Sequence, residues 1–177
     1  TGALYHDIGK LTNPGFFTEN QAGYNPHDKL TEEESAEIII SHVTKGVELA
    51  DKHRLPKVIK DFILTHHGTS MVRYFYVQAV NKYGEEKVDK AKFTYPGPNP
   101  FTREQAILMM SDAVEASSRS LKEYTTEAIT DLVNRIIDGQ VANGAFVNCP
   151  ITFRDISEAK QTFIDSLQVI YHTRVSY

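Results

Sequence analysis

The fold is decided by residues 31–50, which read TEEESAEIIISHVTKGVELA. Thr31, followed three residues later by Glu34, forms a capping box in which each side chain satisfies a backbone N–H at the start of a helix. Apolar residues then recur with the 3.6-residue period of a helix that buries one face. They are Ala36, Ile39, Ile40, Val43, Val47 and Ala50. The stretch predicts an amphipathic helix that ends before Pro56 and carries His42 beside its apolar stripe.

The rest of the chain has the same periodicity, so the sequence predicts an all-α fold. Residues 2–10 are expected to be the end of a buried helix that stops near Gly9, and residues 12–30 a polar loop. A second capping box, Thr102 to Gln105, opens another helix. Further helices are expected at 56–67, 71–83, 102–121, 126–142 and 153–171. Strand-like alternation and a domain boundary are absent, so we expect one domain over residues 1–177.

The composition narrows the class of protein. The 177 residues carry a net charge of −4, which disfavours a non-specific nucleic-acid polymer as partner, since such binders are usually basic. Apolar stretches are too short for a membrane span. The single cysteine, Cys149, excludes an intramolecular disulfide and is expected to be a small packed residue.

Imidazole and carboxylate groups recur on or beside the apolar helical segments. This mixture of ligands suits iron, manganese, nickel or zinc. A carboxylate can also bridge two ions, and paired ions stabilise an in-line displacement at phosphorus. The candidate metal ligands are His6, Asp7, His42, His66, His67 and Asp112. Metal-dependent phosphoester hydrolysis is therefore the leading hypothesis from the residues alone.

Each candidate also has a structural interpretation. His42 alone is typical of a satisfied core residue, and adjacent histidines such as His66 and His67 can both bind metal only at an irregular helix end, which Gly68 provides. Asp112 follows an apolar run, where a carboxylate is costly to bury unless it is paired or metal-bound. Glu115, one turn further on, is expected to support it.

Several other residues are expected to have simpler roles. Lys10 lies four residues after His6 and is expected to hold a phosphate as a point charge. The second His-Asp dipeptide, His27-Asp28, follows a proline in a polar loop and favours a structural or lid role. His53 and His172 are expected at the surface. The aromatic run Tyr74-Phe-Tyr76 is more typical of core than of a base-stacking platform.

These residues resemble the HD-domain phosphohydrolases, which are all-helical metal enzymes. The closest resemblance is to the cytoplasmic HD domain of the bacterial seven-transmembrane HD proteins, the membrane-bound cyclic-di-AMP phosphodiesterases. The stretches that carry it are Tyr5-His-Asp-Ile-Gly-Lys10, Glu19-Asn20, Asn25-Pro-His-Asp28, Ser41-His-Val43, His66-His-Gly-Thr69, Tyr74-Phe-Tyr76, Tyr95-Pro-Gly-Pro98 and Ala113-Val-Glu-Ala116 with the preceding Asp112.

The resemblance implies two divalent metal ions, iron or manganese, bridged by Asp7. One ion takes His42, His66 and His67 with Asp7, and the other takes His6, Asp7, Asp112 and a histidine from an upstream helix that has no counterpart here. We therefore expect an HD domain truncated at its N-terminal side, with an incomplete second site and little activity of its own. The implied parent is a bacterial inner-membrane protein with this domain in the cytoplasm, and homodimerisation is a further expectation.

The implied reaction is hydrolysis of cyclic-di-AMP to linear pApA by a metal-bridging hydroxide, with Asp7 and Lys10 as catalytic residues. Lys10 and Tyr74 are expected to bind the substrate, and the adenines to stack on aromatic residues chosen from Phe16, Phe17, Tyr24 and Tyr74. Two alternatives stay open. One is an HD hydrolase of another phosphorylated nucleotide, and the other is a non-catalytic HD module that binds a ligand or partner.

Overall fold

The computed structural model describes residues 1–21 and 23–172, without the side chain of His172, so the surface position expected for that histidine lies outside the description. Within these residues the chain forms seven α-helices and no β-strand, apart from one isolated bridge between Met71 and Thr94. The helices are α1 (Gly2–Tyr5), α2 (Glu32–Lys52), α3 (Lys57–Thr65), α4 (Arg73–Tyr83), α5 (Arg103–Ser118), α6 (Thr126–Ala142) and α7 (Phe153–His172). The predicted all-α class is confirmed.

The two predicted capping boxes both form. The Glu34 carboxylate accepts a hydrogen bond from the Thr31 backbone N–H at 2.8 Å, and the Thr31 hydroxyl accepts one from the Glu34 N–H at 3.2 Å. Thr102 and Gln105 pair in the same way at the start of α5. Because local side chains satisfy these helix starts, the sequence alone was sufficient to place them.

The N-terminal segment differs from the prediction. The buried helix expected over residues 2–10 is instead the short α1 followed by a 3₁₀ helix, Ile8–Thr12, and Leu4 is 77% exposed. Only Gly2 of α1 is buried, because its backbone lies against the ring of Phe62 on α3. The expected loop at residues 12–30 contains the 3₁₀ turns Pro14–Phe16, Thr18–Asn20 and Pro26–Lys29.

The chain divides into two compact units, Thr1–Pro98 and Asn99–Tyr177. In the first, two small apolar clusters pack against α2, one around Ala36, Ala79 and Phe93 and the other around Ala50, Ile59 and Ile63. The expectation of one domain over residues 1–177 stays a prediction.

The second unit has one larger apolar cluster, drawn from α5, α6, α7 and the connection between the last two helices. Met110 and Ile137 are fully buried within it, and the partly buried Cys149 packs against it as predicted. Among the described residues, none of the helices is sufficiently long and apolar to cross a membrane.

Candidate metal centre

Two glycines bring the backbone segments of the first unit into direct contact. A Cβ on Gly9 would lie 1.7 Å from the carbonyl oxygen of His42, and one on Gly46 would lie 2.8 Å from the side chain of Ile63. The 3₁₀ helix Ile8–Thr12 and helix α3 can therefore approach α2 only because side chains are missing at these two positions. This close approach places Asp7, just before the 3₁₀ helix, beside His42.

The centre forms where Asp7 meets histidines from two helices. Its Oδ1 atom is buried and lies 3.3 Å from Nε2 of His42 and 3.5 Å from Nε2 of His66. The two Nε2 atoms are 3.0 Å apart. One ligand atom from each of Asp7, His42, His66 and His67 lies within 4.8 Å of all the others. The structure thus brings together the four residues predicted to hold one ion.

Backbone carbonyls fix the orientation of three histidine rings. Nδ1 of His6, His42 and His66 each contacts the carbonyl oxygen three residues earlier. Because a carbonyl only accepts hydrogen bonds, Nδ1 must carry the proton, and Nε2 of the neutral ring is left as an acceptor. The carbonyls belong to Ala3, Ile39 and Ile63. A hydrogen bond of this kind also fixes the tautomer of metal-binding histidines.

This arrangement fits a divalent transition metal. His42 and His66 are only 2% and 1% exposed, and their Nε2 acceptors face each other. Two buried lone pairs directed at one another are unfavourable without a shared cation, because neither has a donor to satisfy it. Imidazole nitrogens with a carboxylate oxygen are the donor set that iron, manganese and zinc accept.

His67 is oriented by an aromatic ring. It stacks on Tyr95, with the ring centroids 4.3 Å apart and the planes 20° apart. Tyr95 is itself held by its backbone N–H, which donates to the Ser70 carbonyl at 2.8 Å. The ring of Tyr95 therefore fixes one face of the His67 ring. Burial, together with the neighbouring rings of His66 and His42, lowers the pKa of His67 well below its usual value.

Electrostatics favour an ionised carboxylate at Asp7 and neutral rings at His66 and His67. Burial raises the pKa of Asp7, but the positive charge of the Lys10 ammonium, 2.8 Å from Oδ2, lowers it and favours the ionised carboxylate. Burial also lowers the pKa of His66. Anionic carboxylate and neutral imidazole are the protonation states that a metal ion requires of its ligands.

His6 and Lys10 lie on the other side of the carboxylate. Nε2 of His6 is 3.3 Å and Nζ of Lys10 is 2.8 Å from Oδ2 of Asp7. The Lys10 ammonium also lies 2.6 Å from Glu19, a pairing that the sequence did not predict. Burial alone lowers the pKa of Lys10, but the two carboxylates outweigh it and raise that pKa, so the ammonium stays charged.

Asp112 belongs to the second unit, where it lies half-buried on α5 after the buried Met109 and Met110. Its role as a metal ligand stays a prediction. Glu115, expected to support it, pairs with Arg119 through hydrogen bonds of 3.0 and 2.7 Å.

The candidate base-stacking residues differ in how far their rings are exposed. Phe17 is 5% exposed and packs edge-on against His42, so its ring has no free face for an adenine, and that candidate is wrong. Tyr74 is 68% exposed, so the core position expected for it is also wrong, because the helix turns this residue outward. Tyr24 is exposed as well, and Phe16 is half-buried. The substrate-binding role of Tyr74 stays a prediction.

Two further aromatic residues and two further histidines lie in positions that fit the sequence predictions. Phe75 and Tyr76 are partly buried and pack against an apolar cluster of the first unit, as predicted. His27 contacts the Phe16 carbonyl at 2.9 Å and packs against the rings of Phe16 and Phe75, which fits the structural role expected for it. His53 is exposed, as expected.

Two residues around the centre were missed when the residues were considered one at a time: Glu19 and Tyr95. Glu19 and Tyr95 lie within stretches that carry the family resemblance, which was the available signal. Phe17 was predicted only as a candidate for stacking an adenine, because an aromatic residue in a polar loop does not reveal that it packs on a distant histidine.

Comparison with known proteins defines the class. Residues 1–117 match the family described as HD domain. The chain therefore belongs to the HD-domain family, as the sequence stretches predicted.

Two relatives give a more specific comparison than the family as a whole. The chain is 44% identical over 177 residues to the cyclic-di-AMP phosphodiesterase PgpH of Listeria monocytogenes, and 40% identical over 177 residues to PgpH of Bacillus subtilis. These matches cover 99% of this chain but only 24% and 25% of those proteins, so the chain spans about a quarter of their length.

A solved structure resembles the chain closely. The crystal structure of the L. monocytogenes PgpH HD domain in complex with cyclic-di-AMP superposes with a TM-score of 0.91 at 43% sequence identity. The match covers 99% of this chain and 81% of that one. The predicted HD fold is confirmed.

Proposed function

We propose that the chain is the catalytic domain of a metal-dependent phosphodiesterase that hydrolyses cyclic-di-AMP to linear pApA. The observation that carries the proposal is the convergence of Asp7 with His42, His66 and His67, in a chain 43% identical to an HD domain solved with that nucleotide. The neutral rings of His66 and His67 and the ionised carboxylate of Asp7 have the protonation states of a metal centre.

The ligand roles extend the sequence hypothesis. Asp7, His42, His66 and His67 hold one divalent ion, iron or manganese, and His6 lies on the Oδ2 side of Asp7, where it serves a second. We include Asp112 among the proposed ligands for two reasons. The family resemblance implies it, and burying a carboxylate in an apolar run is costly unless it is paired or metal-bound. Bound ions supply Lewis acidity, which lowers the pKa of water and neutralises charge on phosphoryl oxygens.

The chain's own residues position the substrate. The ammonium of Lys10 lies within 3 Å of the carboxylate that anchors the centre, so it provides a fixed positive charge for a phosphate oxygen. The buried rings around His42 exclude water from one side of the centre. Tyr74 presents an exposed ring for a base. The 3′ oxygen leaves when water attacks phosphorus in line with it.

The wider context is part of the same proposal and rests on the resemblance. The parent protein is a bacterial membrane protein with this domain on the cytoplasmic side, and it forms homodimers. Both features are tested by fractionating cells that carry the tagged parent protein and by measuring the molar mass of the purified domain in solution.

The test of the activity compares substrates on the manganese- and iron-loaded protein. Cyclic-di-AMP, cyclic-di-GMP and a panel of phosphorylated nucleotides are assayed with the chain and with a version extended upstream. We expect release of pApA from cyclic-di-AMP. Faster hydrolysis of a mononucleotide would favour the nucleotidase alternative, and binding of cyclic-di-AMP without turnover would favour a non-catalytic module.

A further inference from the structure

The ammonium of Lys10 is held from three sides. It lies 2.8 Å from Oδ2 of Asp7, 2.6 Å from Oε1 of Glu19 and 5.1 Å from the centre of the Phe17 ring. Glu19 comes from the 3₁₀ turn Thr18–Asn20, nine residues along the chain. The lysine side chain is thus fixed by a partner that does not belong to the histidine cluster.

The two oxygens of Asp7 face different surroundings. Oδ1 faces the Nε2 atoms of His42 and His66, whereas Oδ2 faces His6 and Lys10. A cation bound through Oδ2 competes with the ammonium for that oxygen, because the two positive charges repel each other at short range. Without a second partner, a lysine side chain in this position would move toward solvent, since its four-carbon stem is flexible.

We propose that Glu19 is a positioning residue that keeps the Lys10 ammonium at the edge of the centre, where it binds an oxyanion such as a phosphoryl oxygen. The proposal rests on the proposed function for the identity of the substrate, but not for the contact between Lys10 and a phosphate oxygen. A purely structural ion pair would stabilise the loop at residues 12–30 without affecting oxyanion binding. That loop has an independent anchor, because His27 contacts both Phe16 and Phe75.

The test is a double-mutant cycle on the binding of inorganic phosphate to the manganese-loaded protein, measured by calorimetry. The variants are Glu19→Gln, Lys10→Met and the pair together, with Glu19→Asp as the conservative replacement. Glu48→Gln, which removes an exposed glutamate from α2, is the matched charge control. Bound manganese is measured for each variant, and thermal unfolding by circular dichroism reports folding.

We expect Lys10→Met to weaken phosphate binding by about tenfold, as the loss of one charge-assisted hydrogen bond does. Glu19→Gln alone should weaken it by about three- to tenfold with unchanged manganese content, and should have no further effect once Lys10 is methionine, because the two residues act as a unit. Glu19→Asp should restore part of the loss, and Glu48→Gln should have no effect.

Three results would overturn the positioning role: equal effects of Glu19→Gln with and without Lys10, unaltered phosphate binding in Glu19→Gln, or loss of manganese in that variant. Phosphate as the probe separates this question from the proposed activity. If the wild-type protein does not hydrolyse cyclic-di-AMP, the proposed function fails, but the cycle still reports whether Glu19 acts through Lys10.

Discussion

Two buried polar residues of the second unit and two buried histidines of the first have their polar atoms satisfied in different ways. In the unit Asn99–Tyr177 the buried Gln105 side chain accepts hydrogen bonds from two backbone N–H groups, and the buried Ser118 hydroxyl bonds to Tyr171. In the unit Thr1–Pro98 the buried nitrogens of His42 and His66 face each other at 3.0 Å. A satisfied buried group is explained by folding, whereas a group that only an added cation can satisfy points to binding.

The apolar cores of the two units also differ. One larger cluster in Asn99–Tyr177 brings together α5, α6 and α7, while Thr1–Pro98 has two small clusters around α2. The first unit therefore has less apolar packing near its centre and depends on close backbone contacts at glycine. We expect substitutions around Asp7 in the first unit to affect metal binding, and those in the apolar core of the second unit to affect stability alone.

The largest expected effect comes from Asp7→Ala. The carboxylate anchors the four-ligand set, so its loss should abolish turnover. It should also lower the affinity for metal by about a hundredfold or more, with little loss of helicity. Metal analysis and circular dichroism measure these two quantities. Asp138→Asn is the control, because Asp138 pairs with Lys160 at the surface of the second unit. Retained hydrolysis in Asp7→Ala would refute the anchoring role.

The matching substitution in the second unit is Ile137→Ala. Ile137 is fully buried, so its truncation should lower the free energy of unfolding by about 2–5 kcal/mol, as measured by urea denaturation. Ile137→Val should cost about 0.5–1.5 kcal/mol. Both variants should bind metal with wild-type affinity below the onset of unfolding. Weakened metal binding in folded Ile137→Val would break the division between the units.

Gly9→Ala tests the close approach directly. The added methyl group would collide with the carbonyl oxygen of His42, so we expect a loss of about 1–3 kcal/mol in stability together with weaker metal binding. Gly15→Ala is the matched control, because a Cβ there meets nothing within 4 Å. Equal denaturation midpoints for the two variants would show that the contact between Gly9 and α2 does not form.

The smallest expected effect comes from replacing Tyr95, whose ring stacks on His67. Tyr95→Leu removes the stacked face and should weaken metal binding by about tenfold, the scale seen when groups that orient a ligand are lost. Tyr95→Phe keeps the ring face and should bind metal as the wild-type protein does. Manganese titration compares the two. If Tyr95→Phe loses as much affinity as Tyr95→Leu, stacking is not what orients His67.

Local patterns allowed much of the fold and of the metal centre to be predicted from the sequence. The caps at Thr31 and Thr102, and the apolar stripe of α2, depend on residues three or four positions apart, and the ligand types identified the centre. The exposure of Leu4, the pairing of Lys10 with Glu19 and the stacking of His67 on Tyr95 were beyond such reasoning. They depend on contacts between distant segments, which periodicity does not encode.

The most direct test of the central claim is X-ray absorption at the metal edge of the manganese- or iron-loaded protein. A centre made by Asp7, His42, His66 and His67 predicts nitrogen and oxygen ligands at roughly 2.0–2.3 Å, with the multiple scattering of several imidazole rings. His66→Ala should remove one imidazole from that signal. An ion surrounded by oxygen alone, or a spectrum unchanged in His66→Ala, would contradict the account.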